Sequence, residues 1–376
     1  MPGALEGTLV VSLEQAVAAP LATSRLADAG ARVIKLERTE GDFARGYDDY
    51  VLGQSSYFVW NNRGKQSCRV DLKEPADLAL VRNMIAAADV FVQNLAPGAT
   101  DRLGIGSARL RAEHPGLVVC DIEGYTAGTP DHERKAYDLL IQAETGLASV
   151  TGSPASGPSR VGISIADLAT GQAAYAAILE ALLRRARTGE GAHLRTSLFD
   201  TLAEFMNVPY LSRRYGEREP RRLGLAHPSI APYGVFRAND GEVVISIQNE
   251  REWKVFCDDV LGKGELTDDP RFSRNTIRVR NRDALDRIVQ QIVGQYSTAQ
   301  LCDLLDRHRI AYGRVSSMDD LIHHRSATVA TVETSAGPVE LMAPPVTIDG
   351  ERPKLGRVPD LGEHDKALRI EFGRST

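Results

Sequence analysis

Residues 8–37 read TLVVSLEQAVAAPLATSRLADAGARVIKLE, and this stretch decides the fold. Residues 8–13 are a short apolar run, which predicts a strand. Residues 20–29 change to a helical pattern: Pro20 suits a first helical turn, where its missing N–H costs nothing, and Gly30 suits the position just past a helix end. A second apolar run over 31–36 closes at the acidic Glu37 and predicts the next strand. Strand, helix and strand in this order make one right-handed crossover unit of a parallel sheet. The pattern recurs with a helix over 76–87 and strands over 90–93 and 117–122, so the predicted fold class is α/β.

From residue 164 to about 187 the order of side chains becomes that of one long amphipathic helix. Leu168, Tyr175, Ile178, Leu179, Leu182 and Leu183 recur at three-and-four spacing, while Gly171 and the alanines around it would let another backbone approach closely. After residue 216 the segment HPSIAPYGVF leads to a turn at Asn239, Asp240 and Gly241, a strand over 243–248, and helical patterns over 251–261, 282–296 and 298–308. These predict a small α+β domain. Strand-like runs over 331–334 and 339–342 flank Ser335, Ala336 and Gly337 and predict a hairpin. The domain reading is a large α/β domain over 1–215, a small domain over 216–325, and a segment over 326–376 that returns to the large domain.

Composition narrows the function. A net charge of −5 argues against general nucleic-acid binding, which rests on many clustered Lys and Arg contacts to phosphate. No apolar run approaches the roughly 20 residues that cross a bilayer. The N-terminal MPGALEGTLVVSLEQ has neither a basic region before an apolar one nor an Arg/Ser-rich transit pattern, so a cytoplasmic protein away from membranes is expected. Cys68, Cys120, Cys257 and Cys302 lie far apart without a CxxC pair and read as reduced thiols. His323 and His324 have no partner at metal-ligand spacing, so no metal is expected. A dinucleotide site needs GxGxxG directly after the first strand. The loop here is Glu14-Gln15-Ala16-Val17-Ala18-Ala19-Pro20, whose side chains would block a pyrophosphate. A GxSxG nucleophile elbow is absent as well.

Five segments in chain order resemble class III CoA-transferases, the formyl-CoA transferase and carnitine CoA-transferase family. They are LEGTLVVSLEQAVAAPLATSRLADAGARVIKLERTEGDFAR, SSYFVWNNRGKQSCRVDLK, VQNLAPGATDRLG, RVGISIADLATGQAAYAAILEAL and the late LGEH. The resemblance spans nearly the whole chain. It implies a Rossmann-like parallel sheet in the large domain, a small α+β domain, and an intertwined homodimer. It also implies an enzyme that moves coenzyme A between small carboxylic acids, with acyl-CoA and a free acid as its partners and no metal. The family's nucleophile is the Asp of IADL, here Asp167. Attack on a donor acyl-CoA gives a mixed anhydride and CoA thiolate, which then attacks the aspartyl carbonyl to leave an aspartyl-CoA thioester. From the residues alone, an Asp before an apolar-periodic run reads equally as a helix N-cap. The two readings are compatible, since backbone N–H groups and the helix dipole would keep such a carboxylate ionised.

Matching the family's segments nominates Gln15, Tyr137 and Asp138 beside Asp167 in catalysis; the alternative reading of Tyr137 is a core aromatic. For coenzyme A the matches are Ala16, Arg38, Leu72, Lys73, Asn94, Leu95, Arg102 and Lys135. The cations suit a 3′-phosphate and pyrophosphate, and many of these residues follow strand C-terminal ends, where open α/β sheets bind ligands. Tyr57 matches a position lining the family's active site. EQAVAAP, GDFARGYDD and GLAHPSIAPYGVF look most like the branch acting on short dicarboxylates such as succinate, malate, citramalate, mesaconate or itaconate. A second carboxylate needs a cationic partner, for which Arg45, Arg213, Arg214, Arg221 and Arg222 are available, each of which also reads as an exposed charge or a structural ion pair, and His227 joins the substrate-binding set. Two departures stand out: Gln15 where some relatives carry His, and a 227–232 segment without the glycine run of formyl-CoA transferase's mobile loop. Two rival readings remain. An acyl-CoA racemase or epimerase would need a His where this chain has Tyr137, whose ordinary pKa near 10 makes it a poor substitute at neutral pH. A non-catalytic CoA-binding protein would have no need of the intact ADLATG around Asp167.

Overall fold

Six parallel strands carry the site. In a computed structural model, which describes residues 3–217 and 219–373, they are β1 (Leu9–Leu13), β2 (Arg32–Glu37), β3 (Lys65–Arg69), β4 (Val90–Gln93), β5 (Val118–Glu123) and β6 (His193–Ser197). Their order in the sheet is β3-β2-β1-β4-β5-β6, every pair parallel. The crossover predicted from residues 8–37 is present, with α1 (Ala18–Asp28) between β1 and β2. It begins two residues earlier than the proline suggests, with Pro20 still in the first turn. Helices α2 (Ser56–Asn62) and α3 (Pro75–Ala87), α4 (Asp138–Glu144) and α5 (Ile165–Thr188) follow.

The apolar runs of β1, β2, β4 and β5 are buried almost throughout, as a parallel sheet covered on both faces requires. On one face Val11, Ile34, Phe91 and Val119 pack with Leu80 and Met84 of α3 and with Leu368 near the C-terminus. On the other, Gly171 of α5 meets α1 closely: a Cβ there would fall 2.6 Å from the Ala18 carbonyl oxygen. The predicted hairpin is β10 (Val329–Thr334) and β11 (Gly337–Met342), and its Val332 packs on Phe58, Val59 and Val358. The LGEH segment ties the chain's end to β3: His364 Nδ1 accepts the Ser67 N–H at 3.2 Å, and Gly362 N donates to Ser67 Oγ at 2.9 Å.

The described residues divide into two compact units. The first takes those of Met1–Gly146, Val161–Val208 and Thr328–Thr376; the second takes Leu147–Arg160 and Pro209–Ala327. The second unit has a three-stranded antiparallel sheet of β7 (Tyr233–Arg237), β8 (Glu242–Ser246) and β9 (Ala311–Arg314). Its core joins Phe236 and Ile245 of the sheet to Trp253, Phe256, Leu285 and Leu301 of the helices. Among the described residues no helix is long and apolar enough to cross a membrane.

Candidate active site

Gln15 and Ala16 leave β1 where the strand order reverses between β1 and β4, the crevice in which open α/β sheets take ligands. Asn94, just past β4, meets them there. Gln15 N donates to Asn94 Oδ1 at 2.9 Å, and Asn94 Nδ2 donates back to the Gln15 carbonyl at 2.9 Å. Ala16 has φ 64°, a left-handed conformation uncommon for a residue other than glycine. Its N–H donates to Asp42 Oδ1 at 3.1 Å.

Below this loop lies a buried array of charges. Asp42 pairs with Lys35 Nζ at 2.8 Å, and Lys65 Nζ bonds Glu14 Oε1 at 2.6 Å, all four side chains being inaccessible or nearly so. Burial alone would raise the Glu14 carboxyl, but Lys65 and Lys35 hold it below its ordinary value. Burial, together with the neighbouring Lys35, brings Lys65 down to about 8 against the pull of Glu14.

Asp167 sits at the third position of α5, and the N-cap is Ser164. The capping role expected of Asp167 belongs to another carboxylate. Asp138, buried at the start of α4, accepts the Ala166 N–H on Oδ1 at 2.9 Å. Gln142 Nε2 donates to Asp138 Oδ2 at 2.8 Å, and Gln142 Oε1 accepts the Val161 N–H at 2.8 Å, so the approach to α5 is pinned from α4. Asp167 accepts no hydrogen bond among the described residues. Burial, reinforced by the negative charge of Asp138, raises its pKa from 3.8 to about 7. That is opposite in direction to the ionised carboxylate expected of a capping residue. The reason is that burial disfavours the charged form, while Asp138 takes a donor at the helix start and adds its own charge.

A pair of tyrosines stands at the cap of α5. Burial raises the Tyr47 hydroxyl to about 12, with Asp42, Asp167, Tyr137 and Tyr57 all acting in the same direction. Tyr47 and Tyr57 meet edge to face at 5.5 Å, and Tyr57 Oη lies 3.5 Å from Ser164 Oγ at the cap of α5. Tyr137 is 61% exposed, so it is not a core aromatic.

The structure therefore brings Asp138, with Tyr137 capping its helix, and Tyr57 to the start of the helix that carries Asp167. Gln15, Ala16 and Asn94 share the sheet's switch point. The other coenzyme A candidates stand on loops after β2, β3, β4 and β5: Arg38, Lys73, Arg102 and Lys135 are exposed, while Leu72 and Leu95 pack against the core beneath. Exposed cations beside partly buried leucines fit an anionic nucleotide with an apolar base. Arg45 must be reassigned. Its guanidinium forks onto the buried Glu37 carboxylate at 2.8 Å twice and stacks 3.7 Å over Phe58, so it is a structural ion pair and not an open carboxylate receptor. His227 belongs to the second unit, where it stacks on Tyr233 at 5.1 Å and its Nδ1 accepts the Ser229 N–H. Residues missed from sequence are Asp42, Tyr47 and Gln142. Lys35 carried the signal for the first, because a lysine inside a buried strand demands a carboxylate partner.

The family model of CoA-transferase family III matches residues 5–365. The chain is 35% identical to acetyl-CoA:oxalate CoA-transferase of Acetobacter aceti, over 98% of this chain and 96% of that one. It is 33% identical to succinyl-CoA:glutarate CoA-transferase of Mus musculus, over 98% and 86%. Among solved structures it is similar to a CAIB/BAIF family protein from Brucella suis, with a TM-score of 0.84 and 32% identity over 99% of this chain and 100% of that one. The six-stranded parallel sheet with its helices is common ground, the match runs from the first strand to the last helix, and the chain belongs to CoA-transferase family III.

Proposed function

We propose that this enzyme transfers coenzyme A between short dicarboxylic acids through an aspartyl thioester on Asp167. One observation carries the reading: a carboxylate without hydrogen-bond donors among the described residues, partly buried near Asp138, in a place that disfavours its charge. Acylation of such a carboxylate removes that charge. The desolvation that raises its pKa therefore favours the neutral anhydride and thioester over the free carboxylate. The carboxylate attacks the donor thioester carbonyl, the C–S bond breaks, and CoA thiolate leaves. The thiolate attacks the aspartyl carbonyl and expels the donor acid. An acceptor carboxylate then displaces the thiolate, and the thiolate takes the acceptor acyl group while Asp167 returns to its carboxylate.

Support for dicarboxylates comes from the relatives, whose names pair CoA with oxalate, glutarate and, at 30% identity in Haloarcula hispanica, mesaconate. Arg45 is committed to Glu37, and the other arginines named for the second carboxylate all belong to the second unit. Arg213 faces Glu219 at 3.1 Å and Arg222 donates to the Ser149 carbonyl at 3.0 Å, while Arg214 and Arg221 have no ion pair among the described residues. The reading includes the intertwined homodimer, which would cover apolar side chains such as Phe205 (59% exposed) and Val208 (67% exposed). It places the reaction in the cytoplasm, where the four free, buried cysteines would stay reduced.

The test is incubation with succinyl-CoA followed by mass spectrometry, together with a panel of CoA donors against mono- and dicarboxylate acceptors. A CoA adduct on Asp167, its loss in Asp167→Ala, and turnover confined to dicarboxylates are expected. An Asp167→Ala variant retaining more than about a hundredth of kcat would refute the nucleophile. Turnover with monocarboxylates alone would refute the substrate class.

A further inference from the structure

We propose that Asp42 is a positioning residue for the transfer reaction: anchored on the buried Lys35, its carboxylate holds the Ala16 amide and fixes the left-handed turn that leads the first loop into α1, the helix that packs against the one carrying Asp167. This rests on Asp167 being the acylated group.

The mechanism above leaves a whole buried charge array unused, and such an array is costly to keep without a task. Asp42 is 5% exposed and Lys35 fully buried. Oδ2 of Asp42 takes the Lys35 ammonium at 2.8 Å, and Oδ1 takes two amides, Ala16 N at 3.1 Å and Ala44 N at 2.9 Å. Lys35 in turn reaches back under the loop to the Glu14 carbonyl at 3.4 Å. One carboxylate thus joins β2, the turn after it and the β1 loop. The joint falls at the one strained residue of that loop, since Ala16 adopts φ 64° without a glycine's freedom. The loop and the nucleophile are coupled through α1. Two residues after Ala16, the Ala18 carbonyl lies against Gly171, one helical turn beyond Asp167. From the other side Tyr47 lies within the fields of both Asp42 and Asp167. Releasing Ala16 would let Gln15 and Ala16 relax away from the switch point and would loosen the start of α1 where it packs against Gly171 of α5.

The experiment measures the rate at which succinyl-CoA forms the aspartyl-CoA adduct on Asp167, resolved by rapid quench and mass spectrometry. The wild type is read first. No adduct, or an adduct elsewhere, refutes the proposed nucleophile and leaves Asp42 with nothing to position. Two double variants then remove both buried charges. Lys35→Met with Asp42→Asn keeps an acceptor for the Ala16 amide and should form adduct within a few-fold of wild type. Lys35→Met with Asp42→Leu lacks the acceptor and should be slower by about 100-fold, the scale of an ångström-sized misplacement. Adding Ala16→Gly to the leucine variant should recover at least about tenfold, because glycine holds the left-handed turn unaided. Equal rates in the two doubles, or no recovery on adding Ala16→Gly, would overturn the proposal, since a merely structural Asp42 would not respond to the backbone freedom of residue 16. Should the leucine double fail to fold by circular dichroism, Ala16→Val alone carries the test. A β-branched residue resists the left-handed turn without disturbing the buried charges, so a rate about 100-fold lower is expected and a wild-type rate overturns the idea.

Discussion

Asp167→Asn should abolish transfer and yet make the protein more stable, by an amount that depends on pH. The folded chain binds a proton at Asp167 more tightly than the unfolded chain does, because burial and Asp138 raise its pKa from 3.8 to about 7. A raised carboxyl works against the fold once ionised: its contribution is unperturbed below the unfolded value, falls as pH rises toward the folded value, and is flat above it. Over a gap of about three pH units the ceiling is roughly 4 kcal/mol, and the partial exposure of the side chain brings the expected figure to about 1–2 kcal/mol. Asparagine fills nearly the same space and carries no charge, so it escapes this loss. Urea unfolding followed by circular dichroism should show the variant and wild type nearly equal at pH 4.5 and the variant ahead by that amount at pH 8. Protomer concentration must be held fixed, since an assembling protein's stability depends on it. A difference that is constant across this range, or one that favours wild type at pH 8, would refute the claim that the nucleophile is held in a charge-averse place.

Other perturbations follow from the same geometry. Asp138→Asn keeps an oxygen for the Ala166 N–H but removes the charge, so the acid limb of the kcat/KM profile should move to lower pH, whereas Asp138→Leu should lose the helix cap and most activity. Arg45→Met strands the buried Glu37 and should cost about 3–5 kcal/mol at pH 7. Burial works against Glu37, but Arg45 and Lys35 hold it at about 2, so that stability is present above its unfolded value and lost as pH falls toward 2. The two unfolding curves should therefore converge in acid. Gly171→Ala gains about 1 kcal/mol of helix propensity but drives a Cβ to 2.6 Å from the Ala18 carbonyl oxygen, so calorimetry should show net destabilisation, with a fall in kcat because Asp167 lies one turn away.

The strands legible in the sequence were those whose burial is solved by apolar side chains. LVVSL, RVIKLE, VFVQ and VVCDIE announce themselves because both faces of a parallel strand are covered. β3 does not, because KQSCR is buried by pairing: Lys65 on Glu14 and Ser67 on Glu37, partners far away in sequence. β6, HLRTS, is an edge strand with His193 and Arg195 facing outward, and no pattern rule separates it from a loop. The helix of α5 was plain from its periodicity, yet its cap was not. Capping by Asp138 is supplied from another helix, so a rule that looks only upstream along the chain assigns the cap to the wrong aspartate. Arg45 misled for a related reason. An arginine beside an active-site motif looks the same in sequence whether its fork is open or already filled by Glu37.

The carboxylates around the first loop divide into two kinds, and the division accounts for much of the site's chemistry. Glu14, Glu37, Asp42 and Asp138 each accept bonds from named donors: Lys65 and Thr23, Arg45 and Ser67, Lys35 with two amides, and Gln142 with the Ala166 amide. For Glu14 and Glu37 these donors and the neighbouring cations hold the carboxyl below its ordinary value against burial, and Glu37, Asp42 and Asp138 each hold a backbone amide in place. Asp167 receives none of these donors, and burial and a like charge act on it. A carboxylate tied down by amides and ammonium groups would be a poor nucleophile, because every bond it accepts must be surrendered as its oxygen becomes acylated. Withholding donors from the one group that must change charge, while placing them on the groups that must stay still, lets the rigid part of the site set the geometry and leaves the reacting oxygen free.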